Sequence, residues 1–511
     1  MFETQFNPSE LLAVAPEIGL TIWAFFILSL DFLKLPQLNR RVLGLFSAIG
    51  MLCVLVLAIV LAPPADKSTT ILGGMVRNDL YAYVFDAIFI MAGALTCLAS
   101  IDFKPVKAGG EFYALIILAT MSMCLMAAAS DIIVLFLATE TSSMALYLLA
   151  GFMRDTPRSA EAGIKYFIFG AVTSTVMLYG LSLLYGLSGQ TGYSGPLTSF
   201  QGIAQAVQVP EYRMIATFAL LLVVVGFAFK TTAVPFHFWA PDVYEGAPTP
   251  VTGFISTASK AAGFAILMRF LLYAFPPFPE VQSPAAAVWV SMIQPVAILT
   301  MFLGNLLAVT QTSVKRMLAY SSIAQAGYIL IGVTALGWAA SRGEVSGALP
   351  DSVAAVIFYL ATYMLTNICA FTIVGLVAQR VGGDNLKDFS ALSRRAPYLA
   401  LAMVAALLSL TGAPPLVGFV GKLFLFRSAV NENLVMLVVV GVVNVLISVF
   451  YYLGVVRAMY VDRSPSEAQP FHIPQATGWV VIVTSAAVLL ITVASTPFWD
   501  IALAAAKSML N

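Results

Sequence analysis

Apolar positions fill this chain in runs of about 20 residues, the length at which an α-helix crosses a hydrocarbon layer, and short charged stretches separate the runs. Fourteen runs qualify, at 11–31, 42–62, 80–100, 112–129, 131–151, 162–187, 214–235, 250–274, 284–307, 318–338, 352–378, 398–421, 433–459 and 476–496. They are continuous and do not alternate over ten residues, so helices are expected and a β-barrel is not. The first run follows the polar "MFETQFNPSE" with no small-residue cleavage site after it, and is expected to be a retained span.

Two runs carry prolines in their path. Pro235 stands at the end of the seventh, and Pro414 with Pro415 interrupts the twelfth. Proline removes a backbone donor and clashes with the preceding turn. At membrane depth the freed groups then need protein or water. The expectation is an all-α polytopic membrane protein of fourteen transmembrane helices, with helices 7 and 12 broken. Spans four to eight and nine to thirteen are equal in number, and an odd number per unit inverts the second unit, so two inverted repeats are expected. The units read as an N-terminal three-helix segment at 1–110, repeats at 111–275 and 276–460, and a C-terminal loop with span 14 at 461–511.

Composition agrees with this class. Of 511 residues 60% are hydrophobic and 10% charged, where a soluble domain carries about 25% charged residues. Lys34, Arg40, Arg41, Lys104, Lys107, Arg154, Arg158, Lys315, Arg316, Arg380, Lys387, Arg394, Arg395 and Arg463 fall in loops on one side of the fourteen-span arrangement. Lys67, Arg77, Arg213, Arg342 and Lys507 fall on the other, which places both termini outside the cytoplasm. A net charge of +1, without a basic patch carrying interleaved aromatics, gives no reason to propose nucleic acid. Cys53, Cys97, Cys124 and Cys369 all lie in proposed spans with no close pair, and read as small packing residues rather than metal ligands or disulfides. No glycine-rich nucleotide loop follows a strand pattern, so NADH, flavin and iron–sulfur chemistry are not expected in this chain.

The candidate chemistry lies in the charges that lipid rejects: Asp86, Glu140, Lys165, Lys230, His237, Lys260, Arg269, Lys422 and, nearer span ends, Arg427 and Arg457. Glu140, in "FLATETSSMALYLLAGF", is too short to snorkel from mid-membrane, and hydroxyls of Thr139, Thr141, Ser142 and Ser143 flank it. Lys165 either reaches the headgroups or pairs with Glu140 on the neighbouring helix. Lys230 precedes Pro235 after sixteen apolar or small residues; His237, seven positions on, shares its face if the helix continues and caps a broken helix if it does not. Lys260 follows Ser256 by one turn, and Arg269 is as readily structural as functional. Lys422 lies beyond the proline pair, where Gly412, Gly418 and Gly421 admit close neighbours. Buried lysines and carboxylic acids both move toward neutrality, and histidine starts near that range, so Glu140, Lys165, Lys230, His237, Lys260 and Lys422 suit stepwise proton transfer. A cation/proton antiporter is the alternative, although sodium selection is expected to need more carboxylates than Glu140. A solute transporter is expected to show a larger mixed-polar pocket, and a scaffold has no use for these charges.

The stretches "KTTAVPFHFWAPDVYEGAPTPVTGFISTASK" and "LSLTGAPPLVGFVGKLFLF" carry a resemblance. The chain resembles the NADH-quinone oxidoreductase subunit N family, the antiporter-like membrane subunits of respiratory complex I, over essentially all its spans. "PFHFWAPDVYEGAPTPVT" and Lys422 are more similar to subunit N than to subunits M and L, and the chain's end soon after span 14 argues against the longer subunit L. The resemblance implies that Glu140 couples to Lys165, that Lys230 is the central lysine, that His237 and Lys260 connect it across the middle, and that Lys422 is the terminal lysine approached through "LKDFSALSRRAPYLA". It also implies no cofactor here, FMN and iron–sulfur clusters in partner subunits, and contacts with lipids and with subunits M, K and J. The implied location is a bacterial inner membrane.

Overall fold

Helices that are apolar all round satisfy their own backbone groups and leave side chains to face either lipid or one another. A computed structural model of the chain describes residues 10–33, 39–103, 109–277, 288–342, 347–463 and 471–511. Lys34, Lys104 and Lys107, and positions 284–287 of the ninth expected span, lie outside them. Thirteen helices among the described residues are long and apolar enough to cross a membrane. The expected run at 398–421 is met instead by two shorter helices, Pro397–Thr411 and Val417–Asn431.

Burial sorts the helices. The most apolar stretch of Thr249–Ala274 is wholly buried, and those of Val314–Ser341 and Ala348–Val381 are 89% buried, so these three form the central pillar. The outer helices, such as Ala15–Phe32 and Val435–Tyr460, turn Phe25, Leu446 and Phe450 outward. Water would penalise such a surface, and a lipid phase does not.

Polar residues at the helix starts fix where the helices begin. Asp79 accepts from Ala82 N at 2.9 Å at the head of Leu80–Ile101, Asp131 from Ile133 N at 2.7 Å before Ile132–Ala150, and Ser313 from Arg316 N at 3.2 Å before Val314–Ser341. Helix Arg213–Thr231 ends before Pro235 is reached, on Thr232 in the left-handed region (φ 60°), and helix resumes at Trp239–Gly246. Pro397–Thr411 likewise ends on Gly412 at φ 86°. A π-turn at Ile255–Ser259 sits inside Thr249–Ala274, immediately before Lys260.

Elements not anticipated from the sequence include helix Phe200–Gln208, which falls between the sixth and seventh expected spans. A short hairpin pairs Thr69–Ile71 with Val76–Asn78, and an amphipathic helix Ser495–Leu510 follows the last long helix. Ser508 Oγ of that terminal helix accepts from Leu80 N at 3.0 Å, at the start of Leu80–Ile101. The Asp79 that caps the same helix also takes a two-pronged contact from Arg269, at 2.7 and 2.9 Å, with both side chains fully buried.

Candidate functional site

Lys230 occupies the last turn of Arg213–Thr231 and points at the Glu140 helix, Ile132–Ala150. Its Nζ donates to Ser142 Oγ at 2.7 Å, Ser143 Oγ at 2.8 Å and Thr139 O at 3.4 Å. The hydroxyls expected to serve Glu140 therefore hold the lysine. Glu140 itself lies close enough to Lys230 to interact with its charge, and Ser174 on helix Pro157–Ser188 is near it on the other side. Gly263 of the Lys260 helix gives Lys230 its place: a Cβ there would sit 3.2 Å from Lys230 Cγ.

Lys260 is fully buried and donates to Ser322, at 2.6 Å to Oγ and 2.5 Å to O. Ser256 is not its partner. The π-turn between them shifts the register that an ideal helix would give, and Ser256 accepts instead from Asn367 Nδ2 at 2.8 Å. The hydroxyls of Tyr244 and Tyr363 lie near Ser322, so side chains of several helices surround the oxygen that holds Lys260.

Lys422 is held by the end of a helix. Its Nζ donates to Leu410 O and Thr411 O, each at 2.9 Å, and lies 4.2 Å from the centre of the Tyr328 ring. Those carbonyls are free because Pro397–Thr411 stops there, and the negative end of the helix dipole faces the ammonium. Gly418 permits the fold-back, since a Cβ there would meet Ser409 O at 1.8 Å.

Between Lys260 and Lys422 runs a chain of neutral groups. Gln325 Nε2 donates to the same Leu410 O at 2.9 Å and reaches Tyr452 OH at 3.4 Å. Tyr359 donates to Gln325 Oε1, and Tyr452 pairs with Ser321, the neighbour of Ser322. A branch leaves from Tyr328 through Asn305 to Asn444, with Asn305 Nδ2 at 3.3 Å from Tyr328 OH and 3.1 Å from Asn444 Oδ1. Sequence reasoning missed Gln325, Asn305 and Asn444 because it filtered for charge. A neutral amide inside an apolar run was the available signal.

Lys165 does not turn to Glu140. It contacts Glu161 at 2.7 Å and Asp242 at 2.6 Å, with 36% of its side chain exposed. Asp242 and Glu245 each receive Arg316 at 2.8 Å, and Arg158 approaches Glu245 at 3.8 Å. A cavity of about 130 Å³ lies among these groups. The acidic pair was visible in "WAPDVYEG", one helical turn apart, but its basic partners come from other helices. Lys315, read from sequence as a loop residue, is buried and donates to Ala247 O at 2.6 Å.

His237 lies in the turn between Thr231 and Trp239, so the shared helical face with Lys230 does not form. It is buried, and its Nδ1 has no partner among the described residues. Asp86 is buried beside Cys124 and within electrostatic reach of Glu17. Arg269 pairs with Asp79, as above, and Arg427 and Arg457 sit at exposed helix ends against Asp351 and Asp462.

A family profile described as "NADH:quinone oxidoreductase/Mrp antiporter, TM" matches residues 129–448, which contain all six predicted site residues. The chain is 38% identical over 474 residues to NADH-quinone oxidoreductase subunit N of Moorella thermoacetica, covering 92% of this chain and 93% of that one. It is 41% identical over 446 residues to NADH-quinone oxidoreductase subunit N 2 of Herpetosiphon aurantiacus, covering 84% and 80%. Among solved structures it is similar to a chain of respiratory complex I from Thermus thermophilus with bound aureothin, at a TM-score of 0.73, 28% identity and coverage of 95% and 98%. With that identity along almost its whole length, the chain belongs to the NADH-quinone oxidoreductase subunit N family.

Proposed function

We propose that this chain moves protons across a bacterial inner membrane as a non-redox subunit of an NADH:quinone oxidoreductase. The observation that carries the reading is the state of three lysines. Lys230, Lys260 and Lys422 are buried, and among the described residues each hydrogen-bonds to neutral oxygens alone. A buried ammonium without a hydrogen-bonded carboxylate is costly, and such a group suits a site where the proton comes and goes. Glu140 acts on Lys230 through space, so a change of charge near Glu140 biases the first lysine, and the hydroxyl and amide chain past Ser322 and Gln325 leads toward Lys422. Lys165 belongs to the same reading as the entry to Glu140, held by the Asp242 network, and His237 as the titratable group at the turn beside Lys230.

The finer architecture follows from the same reading. Helix pairs Arg213–Thr231 with Trp239–Gly246, and Pro397–Thr411 with Val417–Asn431, act as the broken seventh and twelfth of fourteen spans. Residues 111–275 and 276–460 form the two inverted repeats, and both termini face away from the cytoplasm. The redox groups, FMN and iron–sulfur clusters, belong to partner subunits, and subunits M, K and J are the proposed neighbours. Electron transfer there reaches this chain as a change of charge and conformation.

The test is Lys230→Ala in the whole complex, sealed into vesicles, with quinone reduction and the proton gradient measured together. Both are expected to fall while the complex stays assembled. Both remaining at the unmutated level would overturn the reading, and a gradient that depends on added sodium would favour a cation/proton antiporter instead.

A further inference from the structure

A cavity of about 940 Å³ opens at one end of the bundle, and none of the six site residues lines it. It forms where Arg40–Leu61 and Gln475–Val493 begin and where Leu80–Ile101 and Ala348–Val381 end. Its polar wall holds Arg41, Arg380 and His472, and its apolar side holds Leu45, Leu98 and Trp479.

The charges there are not used up within the fold. Asp102 also lines the cavity, but it accepts from Thr477 N at 3.2 Å and Thr477 Oγ1 at 3.4 Å, which ties it to the start of Gln475–Val493. Arg41 approaches Asp102 only to 3.6 Å and keeps 75% of its side chain exposed. Arg380 has no acidic partner among the described residues, and His472 is exposed. Two guanidinium groups facing one space match the oxygens of a phosphate diester. Trp479, 63% exposed, is the residue type that settles at the boundary between headgroups and acyl chains. Leu45 and Leu98 continue the wall with carbon alone, which a free anion would leave uncovered.

We propose that this cavity holds an anionic phospholipid, its phosphate between Arg41 and Arg380 and the start of an acyl chain against Leu45, Leu98 and Trp479. Basic pockets between spanning helices recognise such headgroups by this combination of charge and adjoining apolar surface. The bound lipid bridges the Arg41 helix, in the N-terminal part of the chain, to the Arg380 helix of the central pillar.

The experiment uses the purified whole complex with a photo-activatable phosphatidylglycerol, and quantifies cross-links to peptides containing Leu45 and Trp479. Labelling is expected at both, displaced by unlabelled phosphatidylglycerol and not by phosphatidylcholine or inorganic phosphate. In the Arg41→Ala, Arg380→Ala double variant the lipid concentration for half-labelling is expected to rise by about thirtyfold. The Arg41→Lys, Arg380→Lys variant keeps the charge and loses the guanidinium fork, so its half-labelling concentration is expected to fall between those of the unmutated chain and the alanine variant, which separates lost recognition from lost folding. Competition by inorganic phosphate as effective as by the lipid would overturn the proposal in favour of a free-anion site. Labelling that is absent from these peptides, or equal in the alanine variant, would also overturn it. So would cross-links from them to a partner subunit in place of lipid, which would identify a protein contact.

Discussion

Lys422 shows how a single charge is kept inside an apolar bundle. Its ammonium rests on two carbonyls that a helix end leaves free and on the face of Tyr328. Leu410 O keeps Gln325 Nε2 as a donor when the lysine is removed, and the Tyr328 face needs no cation, so only Thr411 O loses its donor. Lys422→Met is therefore expected to leave thermal stability unchanged or raise it by ~1 kcal/mol, because an apolar chain of similar volume replaces a desolvated charge. Proton transport is expected to fall in the same preparation. A marked loss of stability with transport intact, read by thermal unfolding beside the vesicle assay, would make Lys422 structural. At this scale the sequence was most legible, because a lysine in an apolar run stands out. Ser322 and Gln325 did not stand out, for serine and glutamine are cheap to bury once bonded and their partners lie on distant helices.

The informative element is the helix end, not the helix. Prolines announced interruptions near 235 and 414, but the backbone stops earlier in both places, at Thr231 and Thr411. Left-handed residues Thr232 and Gly412 do the stopping, and a proline downstream only forbids resumption. Gly412→Ala puts a Cβ at φ 86° and 2.9 Å from Lys422 Cδ. It is expected to destabilise the chain by about 1 kcal/mol or more and to push the ammonium off the Leu410 and Thr411 carbonyls. Thermal unfolding together with the vesicle gradient checks this, and an alanine variant indistinguishable in both would show that the turn does not set the lysine. The π-turn before Lys260 had no sequence signal at all. It is a local register change, and Lys260, just past it, bonds Ser322 of another helix and not Ser256.

For the whole molecule, the buried Asp79 and Arg269 pair joins the N-terminal segment to the central pillar, and Ser508 of the terminal helix closes the same corner. Asp79→Ala leaves Arg269 buried and uncompensated, and is expected to cost about 3–5 kcal/mol and to hinder assembly. The double variant Asp79→Ala, Arg269→Met removes both charges and is expected to recover most of that loss. Thermal unfolding of the two variants gives the comparison, and equal losses in both would mean that packing rather than charge holds the corner.

The class of fold, the approximate spans and the costly residues Glu140, Lys230, Lys260 and Lys422 are legible in the order of residues. Those follow from local quantities: the length of an apolar run, and the mismatch between one side chain and its run. Tertiary structure alone decided the partners. It gave Lys230 to Ser142 and Ser143, Lys165 to Asp242, Lys260 to Ser322, and Lys422 to the carbonyls of a helix end. Each of these pairings, except that of Lys422, joins residues more than 60 positions apart. Hydrophobic period says which runs are helices, but a helix that is apolar all round does not say which face meets which neighbour.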